Sequence, residues 1–300
     1  MSSRRENETR GAEPGRPSYD GPPDWGEPAA KRAPAEERAR GGLAGRPWLS
    51  PLVFGLLVLA VVGVFLWFWY GDRAGGTSVF EDSVDSGPEP VIRVTNGPGR
   101  VGVKGVEGLE TVEITAKRYA RGFGPTSARE NATRVPVEID RDGSILEISS
   151  NGGRGTGADY DLQVPAGSIV EIESEIGDVE VSGLSNDVTV RAEGGDVAVE
   201  DVRGSIKIEV PQGDVTAETV STDTGRVEIT VGLGDLELED LVVGILEAQV
   251  EAGDVTLSGR FSGGGRVFVE TGSIDDRLPP EDTKDLDLEA RVGEVVRDER

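Results

Sequence analysis

The sequence predicts an all-β fold: a β-solenoid with two short strands per coil of about 18 to 21 residues, preceded by a single N-terminal transmembrane helix. Three observations support this. A short phrase returns at nearly constant intervals, apolar and polar residues alternate between its copies, and one long uncharged apolar run lies near the N-terminus. An alternation with a period of two matches the spacing of side chains along a β-strand, so each strand is predicted to be half buried.

Residues 1–47 precede the apolar run. They are rich in Gly, Pro, Ala, Arg and Glu and contain almost no large aliphatic residues. Such a segment cannot bury enough apolar surface to offset chain entropy, so we expect a disordered cytoplasmic tail.

The apolar run covers residues 48–70 and contains no charged residue. Its length suits a helix that crosses a hydrocarbon core of about 30 Å, and Trp or Tyr at both ends is typical of the membrane interfaces. Five cations from Lys31 to Arg46 precede the run, whereas only Arg73 follows it within twenty residues. The positive-inside rule therefore predicts a single-pass membrane protein with its N-terminus in the cytoplasm and its C-terminal domain extracytoplasmic. A cleaved signal peptide is the alternative, but its apolar region is usually shorter.

Residues 71–90 combine Gly, Ser, Pro and acidic residues without a periodic apolar pattern. This composition is typical of a flexible linker. The extracytoplasmic β-repeat domain is accordingly predicted over residues 91–296.

The repeated phrase is Gly-Asp-Val-x-Val and its close variants. Its copies begin at Gly177, Gly195, Gly213, Gly234, Gly253 and, in degenerate form, Gly272, with steps of 18, 18, 21, 19 and 19 residues. Glycine suits a corner that requires positive φ, and the following Asp can hydrogen-bond the turning backbone. An antiparallel meander would alternate in the same way, but nothing in a meander requires such even steps, so the solenoid is favoured.

A second strand is predicted between successive phrases. These strands begin at Val188, Ile206, Val227, Leu246, Val267 and Leu286. Stacked coils would place the aliphatic residues in a lumen and the Glu, Thr and Lys residues outside.

The pattern is looser upstream of the phrases. Residues 91–94, 101–103 and 112–114 are predicted as earlier coils, residues 135–148 as a hairpin that turns through Asp142-Gly143, and residues 118–134 as an insertion. At the other end, the charged run 291–300 would protect the open edge of the last coil.

The stretch Tyr160–Gly167, the strand Ile169–Glu173 and the Gly-Asp-Val phrases together resemble a bacterial family of candidate adhesin domains built from β-strand repeats. In that family a Val-Pro-x-Gly step leads into a ladder of Gly-Asp-Ile/Val repeats, and the same order holds here from about residue 91 to residue 292. The resemblance implies a β-solenoid-like fold and a location in the cell envelope. It implies no catalytic residues.

The charge of the chain is concentrated after the apolar run. Beyond residue 70 there are 22 Lys and Arg against 48 Asp and Glu. Such acidity argues against a nucleic-acid partner, would repel anionic lipid and would attract cations or basic partners. Solubility alone is the simpler explanation.

Calcium binding is one alternative function. An eighteen-residue coil with two strands also describes the β-roll, in which Gly- and Asp-rich turns bind Ca²⁺. The predicted calcium column consists of Asp178, Asp196, Asp214, Asp235 and Asp254. The β-roll unit, however, needs Gly-Gly-x-Gly-x-Asp in both turns, and only Glu193–Asp196 approaches it. Turn-capping aspartates are the competing interpretation.

Catalysis is not predicted. The chain has no His and no Cys, which removes the commonest general base, the usual zinc ligands, thiolate chemistry and disulfides. A glycan-cleaving β-helix would need carboxylates grouped in a cleft. The predicted outward carboxylates are instead typical of a solvated strand face: Glu180, Glu209, Glu228, Glu237 and Glu247. No catalytic residue and no bound organic cofactor are expected.

The leading hypothesis is a non-catalytic envelope protein that displays an acidic solenoid for binding or adhesive contacts. Its partner would be an envelope protein, a glycan or a neighbouring copy. The alternative is a single-pass envelope sensor that signals through its N-terminal tail, which would have to fold on a partner.

Overall fold

The computed structural model describes residues 74–153, 155–279 and 286–297. The described part contains one helix, α1 (Pro125–Thr133), and twenty strands. The strands preceding the repeats are β1 (Ala74–Asp85), β2 (Val91–Pro98), β3 (Val101–Val106), β4 (Thr111–Gly122), β5 (Glu138–Asp142), β6 (Ile145–Ser150) and β7 (Thr156–Pro165). Those of the repeats are β8 (Ile169–Ile176), β9 (Val179–Ser182), β10 (Val188–Ala192), β11 (Val197–Glu200), β12 (Ile206–Gln212), β13 (Val215–Glu218), β14 (Ser221–Leu233), β15 (Leu236–Ala252), β16 (Val255–Phe261), β17 (Gly265–Thr271), β18 (Ile274–Asp276), β19 (Leu286–Val292) and β20 (Val295–Arg297).

The predicted tail (residues 1–47) and transmembrane helix (residues 48–70) lie outside the described residues. Across the part of the chain that the structure does describe, no helix combines the length and the apolar character needed to span a bilayer. The membrane anchor and its orientation therefore stay predictions.

The repeats form a parallel β-solenoid, as the spacing predicts. Strands β8, β10, β12 and β14 pair in parallel and in register, and so do β9, β11 and β13. The long strand β15 belongs to both ladders, because its first half pairs with β13 and its second half with β14. Each coil thus stacks its two strands on the equivalent strands of the preceding coil.

The core is a set of aliphatic columns inside the coils. One column contains Val188, Ile206, Val227 and Leu246, all at most 1% exposed. The two Val positions of each repeated phrase are equally buried, as at Val197 and Val199. Burying one such side chain contributes roughly 1.5–3 kcal/mol, so the in-register columns provide most of the stability of the solenoid.

The glycine of each phrase lies at a corner where two constraints act together. Gly195 and Gly213 have φ of 122° and 146°, a region that L side chains rarely adopt. A Cβ at Gly213 would also overlap the carbonyl oxygen of Gly195 in the preceding coil. The prediction of a positive-φ corner is confirmed, and the close approach of neighbouring coils is a further reason for glycine.

A second corner follows the phrase strands and uses left-handed residues other than glycine. Asp201, Thr219 and Asp240 have φ of 49°, 53° and 52°. In an earlier coil the equivalent position, directly after β9, is occupied by Gly183 with φ of 70°. Asp tolerates this region because its side chain can bond locally, whereas a β-branched residue there is strained. Thr219 is therefore a weak point of the solenoid.

The upstream coils do not stack in chain order. The coil formed by β2 and β3 lies between the β6–β7 coil on one side and the β8–β9 coil on the other. The predicted hairpin is confirmed as the antiparallel pair β5–β6. The third predicted early coil, residues 112–114, is wrong, because that segment lies in β4, which pairs antiparallel with β1 and β7.

Two further predictions are corrected at the same end of the solenoid. Residues 71–90 were expected to form a linker, yet Ala74–Asp85 forms β1, paired along its full length with β4. Residues 118–134 were expected to form an insertion, but they continue β4 and then form α1. Helix α1 packs on β1 because Gly76 has no side chain, since a Cβ there would overlap the backbone of Ala128. This assembly of β1, the end of β4 and α1 is called the cap below.

We predict that Gly213→Ala destabilises the protein by roughly 3 kcal/mol, because the substitution combines a strained φ with a steric overlap between coils. Urea unfolding followed by circular dichroism measures the change. Gly75→Ala is the matched control, since a Cβ at Gly75 meets nothing within 4 Å. Equal stability of the two variants would contradict the close-approach argument.

Thr219→Asn should have the opposite effect and stabilise the protein by about 0.5–1 kcal/mol, because it relieves the strain of a β-branched residue at positive φ. The same unfolding measurement tests it. Thr216→Asn, at an ordinary position of the preceding strand β13, serves as the control and should not stabilise. A less stable Thr219→Asn variant would show that the threonine is held there by another interaction.

Candidate functional site

The largest regular surface of the solenoid is the outer side of the ladder formed by β2, β8, β10, β12, β14, β17, β19 and the second half of β15. We call it the charge-paired face. Its outward positions form columns that contain both Arg or Lys and Glu. In one column Arg93, Glu171, Thr189, Lys207, Glu228, Glu247 and Arg266 follow one another coil by coil.

Cations on this face are paired with carboxylates of neighbouring coils. Arg191 lies between Glu173 and Glu209, with N–O distances of 4.0 Å and 3.2 Å. Lys207 contacts Glu209 at 3.0 Å and Glu228 at 3.1 Å, and it reaches the latter across the coil boundary. Exposed pairs of this kind contribute little stability individually, so their regular order matters more for the shape and charge of the surface.

The pairing keeps these groups charged. The hydrogen bond from Lys207 lowers the pKa of Glu209, and the hydrogen bonds to Glu209 and Glu228 raise the pKa of Lys207. A general acid needs a raised carboxyl pKa, which is the opposite direction. Glu209 is therefore suited to electrostatic contacts rather than to proton transfer.

A shallow groove of about 510 Å³ opens on the charge-paired face. Its rim carries Glu228, Glu247 and Arg266, with Thr230, Gln249 and the half-buried Phe268 beside them. Ile229 and Ala248 also line it, but their side chains are buried in the core of the solenoid. The Arg266 guanidinium lies 5.5 Å from the centroid of the Phe268 ring. The groove thus joins an aromatic surface, a cation and several hydrogen-bonding groups, the mixture that specific binding sites use.

Sequence reasoning found the carboxylates of this groove but not the groove itself. The predicted outward residues Glu228 and Glu247 line it, and Glu209 lies one coil away. Glu180 and Glu237 are on the other ladder, in β9 and β15, so the structure does not bring the five together. Phe268 was overlooked because a single aromatic residue in an alternating strand carries no signal of its own.

The five predicted calcium-column aspartates do stack at one corner of successive coils. Each carboxylate reaches forward to the next coil. The Oδ1 atom of each Asp accepts a hydrogen bond from the backbone N–H of the next one: Asp178 from Asp196 at 3.2 Å, Asp196 from Asp214 at 3.0 Å, Asp214 from Asp235 at 2.8 Å and Asp235 from Asp254 at 2.8 Å. Asp254 accepts from the N–H of Ser273 in the same way, at 2.8 Å.

This ladder gives the aspartates a structural role that differs from the predicted one. The sequence suggested that each Asp bonds its own turn, whereas each bonds the corner of the following coil. Within the described residues, no group of three or more carboxylates converges as a metal site would require. Calcium binding stays a prediction, and an identical melting temperature of the full chain in chelator and in millimolar Ca²⁺ would exclude it.

A buried polar cluster, which sequence reasoning missed, lies at the first coils. Asn96, at 1% exposed, donates through Nδ2 to the carbonyl oxygens of Gly99 and Ala158. It stacks between Ser150 and Ser174, and Tyr160 is fully buried. Burial raises the pKa of Tyr160 to about 12. The cluster fixes the corner where the out-of-order coil joins its neighbours.

We expect Asp214→Ala to destabilise the chain by about 1 kcal/mol, because the N–H of Asp235 loses its acceptor. Asp214→Asn keeps an Oδ1 acceptor and should cost clearly less. Urea unfolding at fixed ionic strength distinguishes them, with Glu237→Ala as an outward-facing control on the next coil. If Asn were as destabilising as Ala, the negative charge would be the important property, which is what a cation column requires.

Comparison with known proteins identifies the domain. The Toastrack DUF4097 family matches residues 124–299. The chain belongs to this family. The family-level resemblance drawn from the sequence is thereby confirmed, together with the all-β solenoid.

The chain is also similar to three solved bacterial structures. A candidate adhesin from Bacteroides fragilis is 13% identical, with a TM-score of 0.38, over 74% of this chain and 97% of the other. A candidate adhesin from Parabacteroides distasonis is 16% identical, with a TM-score of 0.41, over 75% and 98%. A candidate cell adhesion protein from Clostridium sporogenes is 12% identical, with a TM-score of 0.34, over 75% and 99%. No curated protein matches the chain significantly.

Proposed function

We propose that this Toastrack DUF4097 protein is a non-catalytic binding protein of the bacterial cell envelope. Its charge-paired face would contact an envelope protein or a glycan. The groove around Arg266 and Phe268 supports the proposal most directly, because an aromatic ring and a cation lie there beside several hydrogen-bonding side chains.

The surroundings of the groove favour binding over catalysis. Glu228 is paired with Lys207, and Glu247 with Arg226 at 3.2 Å, so both carboxylates at the rim have cationic partners. Carboxylates with cationic partners can accept hydrogen bonds from hydroxyl or amide groups of a binding partner.

The stacked strands give the face a second useful property. Neighbouring strands are spaced by about 4.8 Å, so equivalent groups recur at a fixed interval along the solenoid axis. A partner with repeating polar groups, such as a polymer or an extended peptide, can therefore make several weak contacts at once. Such a surface does not need one deep pocket.

Site-specific photocrosslinking on intact cells tests the proposal. A photoreactive phenylalanine analogue replaces Phe268 in one variant and Thr256, on the outer side of the other ladder, in the control. We expect a defined adduct from position 268 and none from position 256.

Arg266→Gln in the same background should remove the adduct without changing the melting temperature, because Arg266 is exposed and its ion pairs are superficial. Equal adducts at positions 268 and 256, no adduct at position 268, or an adduct unaffected by Arg266→Gln would each contradict the proposed binding face.

A further inference from the structure

The tip of the cap, formed by the end of β4 and α1, has the opposite charge to the solenoid. The three carboxylates of β1, Glu81, Asp82 and Asp85, pair with residues 111–115 at the other end of β4. Between Lys117 and Arg134 the chain carries five cations and only one carboxylate, Glu130. The net charge of the whole chain is −25, so this segment stands out from everything that follows it. The domain is acidic on average and would repel anionic lipid, but this end of it is basic.

The cations of the cap also differ in their pairing from those of the charge-paired face. Arg191, Lys207, Arg226 and Arg266 on the solenoid all form ion pairs. Across the described residues, by contrast, none of the ion pairs involves a cation of the cap. Lys117, Arg121, Arg129 and Arg134 are exposed to solvent. Their positive charge is therefore available to a partner.

The tip of the cap is a rigid platform. Ala74, the first residue of β1, pairs with Gly122, the last residue of β4. The next residue, Phe123, is 90% exposed. Asn131 of α1 donates to the carbonyl oxygen of Arg121 at 3.1 Å, which ties the helix to the end of the strand. Arg121, Phe123 and Arg129 are thus presented together by fixed backbone.

Chain connectivity limits how far this tip can be from the predicted membrane helix. That helix ends at residue 70, and β1 begins four residues later, at Ala74. Even a fully extended connection of four residues spans only about 14 Å. A basic surface with an exposed aromatic residue is the type of surface that binds an anionic membrane interface.

We propose that the cap docks on the anionic lipid surface next to the predicted membrane helix, through Arg121, Arg129 and Arg134 with Phe123 at the interface. This proposal goes beyond the proposed binding function, because it concerns the cap and not the charge-paired face. It holds whether or not that face binds a partner. Docking would orient the solenoid away from the bilayer, since the acidic coils are repelled by the same lipids that attract the cap.

The test uses the full chain in lipid nanodiscs. The protein has no Cys, so Thr126→Cys places a single environment-sensitive fluorophore beside the tip, and Leu233→Cys, at a residue 56% exposed on the solenoid, places one far along the repeats. Quenching by spin-labelled lipid is compared between discs of phosphatidylcholine alone and discs that contain equal amounts of phosphatidylglycerol. We expect strong quenching at position 126 only in the anionic discs, and none at position 233 in either.

Charge variants decide whether the cations are responsible. Arg121→Gln, Arg129→Gln and Arg134→Gln together should weaken docking on the order of a hundredfold, at about fivefold per cation, and return quenching to the level of the neutral discs. The matched triple Arg203→Gln, Arg260→Gln and Arg277→Gln on the solenoid should leave quenching unchanged. Circular dichroism checks that both triples are folded. Equal quenching in the two lipids, no quenching at position 126, or quenching that survives in a folded cap variant would overturn the proposal.

Discussion

The contact between successive Gly-Asp corners determines how the rest of the solenoid is arranged. The carbonyl oxygen of each corner glycine occupies the space that a Cβ of the next corner glycine would need, as between Gly195 and Gly213. The Asp that follows accepts the N–H of the next Asp. Both contacts require the coils to stack in register. In-register stacking in turn aligns the aliphatic columns inside the coils and the charged columns outside them.

The same dependence explains how much of the fold is predictable. The phrase and the period of two locate the strands from β8 to β19, because the same local chemistry returns in each coil. The strands predicted at Leu236 and Leu246 are joined in the single strand β15. The role of Asp214 was harder to predict, since its bonding partner is 21 residues away in the next coil. A side chain that satisfies a distant backbone group looks, in sequence, like one that satisfies its own turn.

The cap was missed for a physical reason. Strand β1 consists largely of Gly, Ser, Thr and acidic residues, because its inner face meets a helix through Gly76 and needs no bulk there. Helix α1 buries only Ala128 and Ala132, which gives no apolar periodicity. Pairing with β4 provides the order that composition does not show. The out-of-order stacking of the β2–β3 coil could not be predicted either, because a local sequence pattern does not show which coil a strand pairs with.

The two ends of the solenoid are closed by different chemistry, and this limits the function that each end can perform. At the far end the inward column that holds Leu238 and Leu257 continues with Asp276, which is 2% exposed and bonded to Arg297 and to the N–H of Leu278. The last coil stacks on Asp276 through β20 and supplies Arg297 as its partner, so the apolar column ends in a buried carboxylate that is paired with a cation. At the near end the lumen is closed by the antiparallel strands β1 and β4 and by helix α1. The positively charged tip of the cap is not part of the repeated coils, so its side chains are not restricted by the stacking of coils. The solenoid faces, by contrast, are constrained by the stacking that forms them.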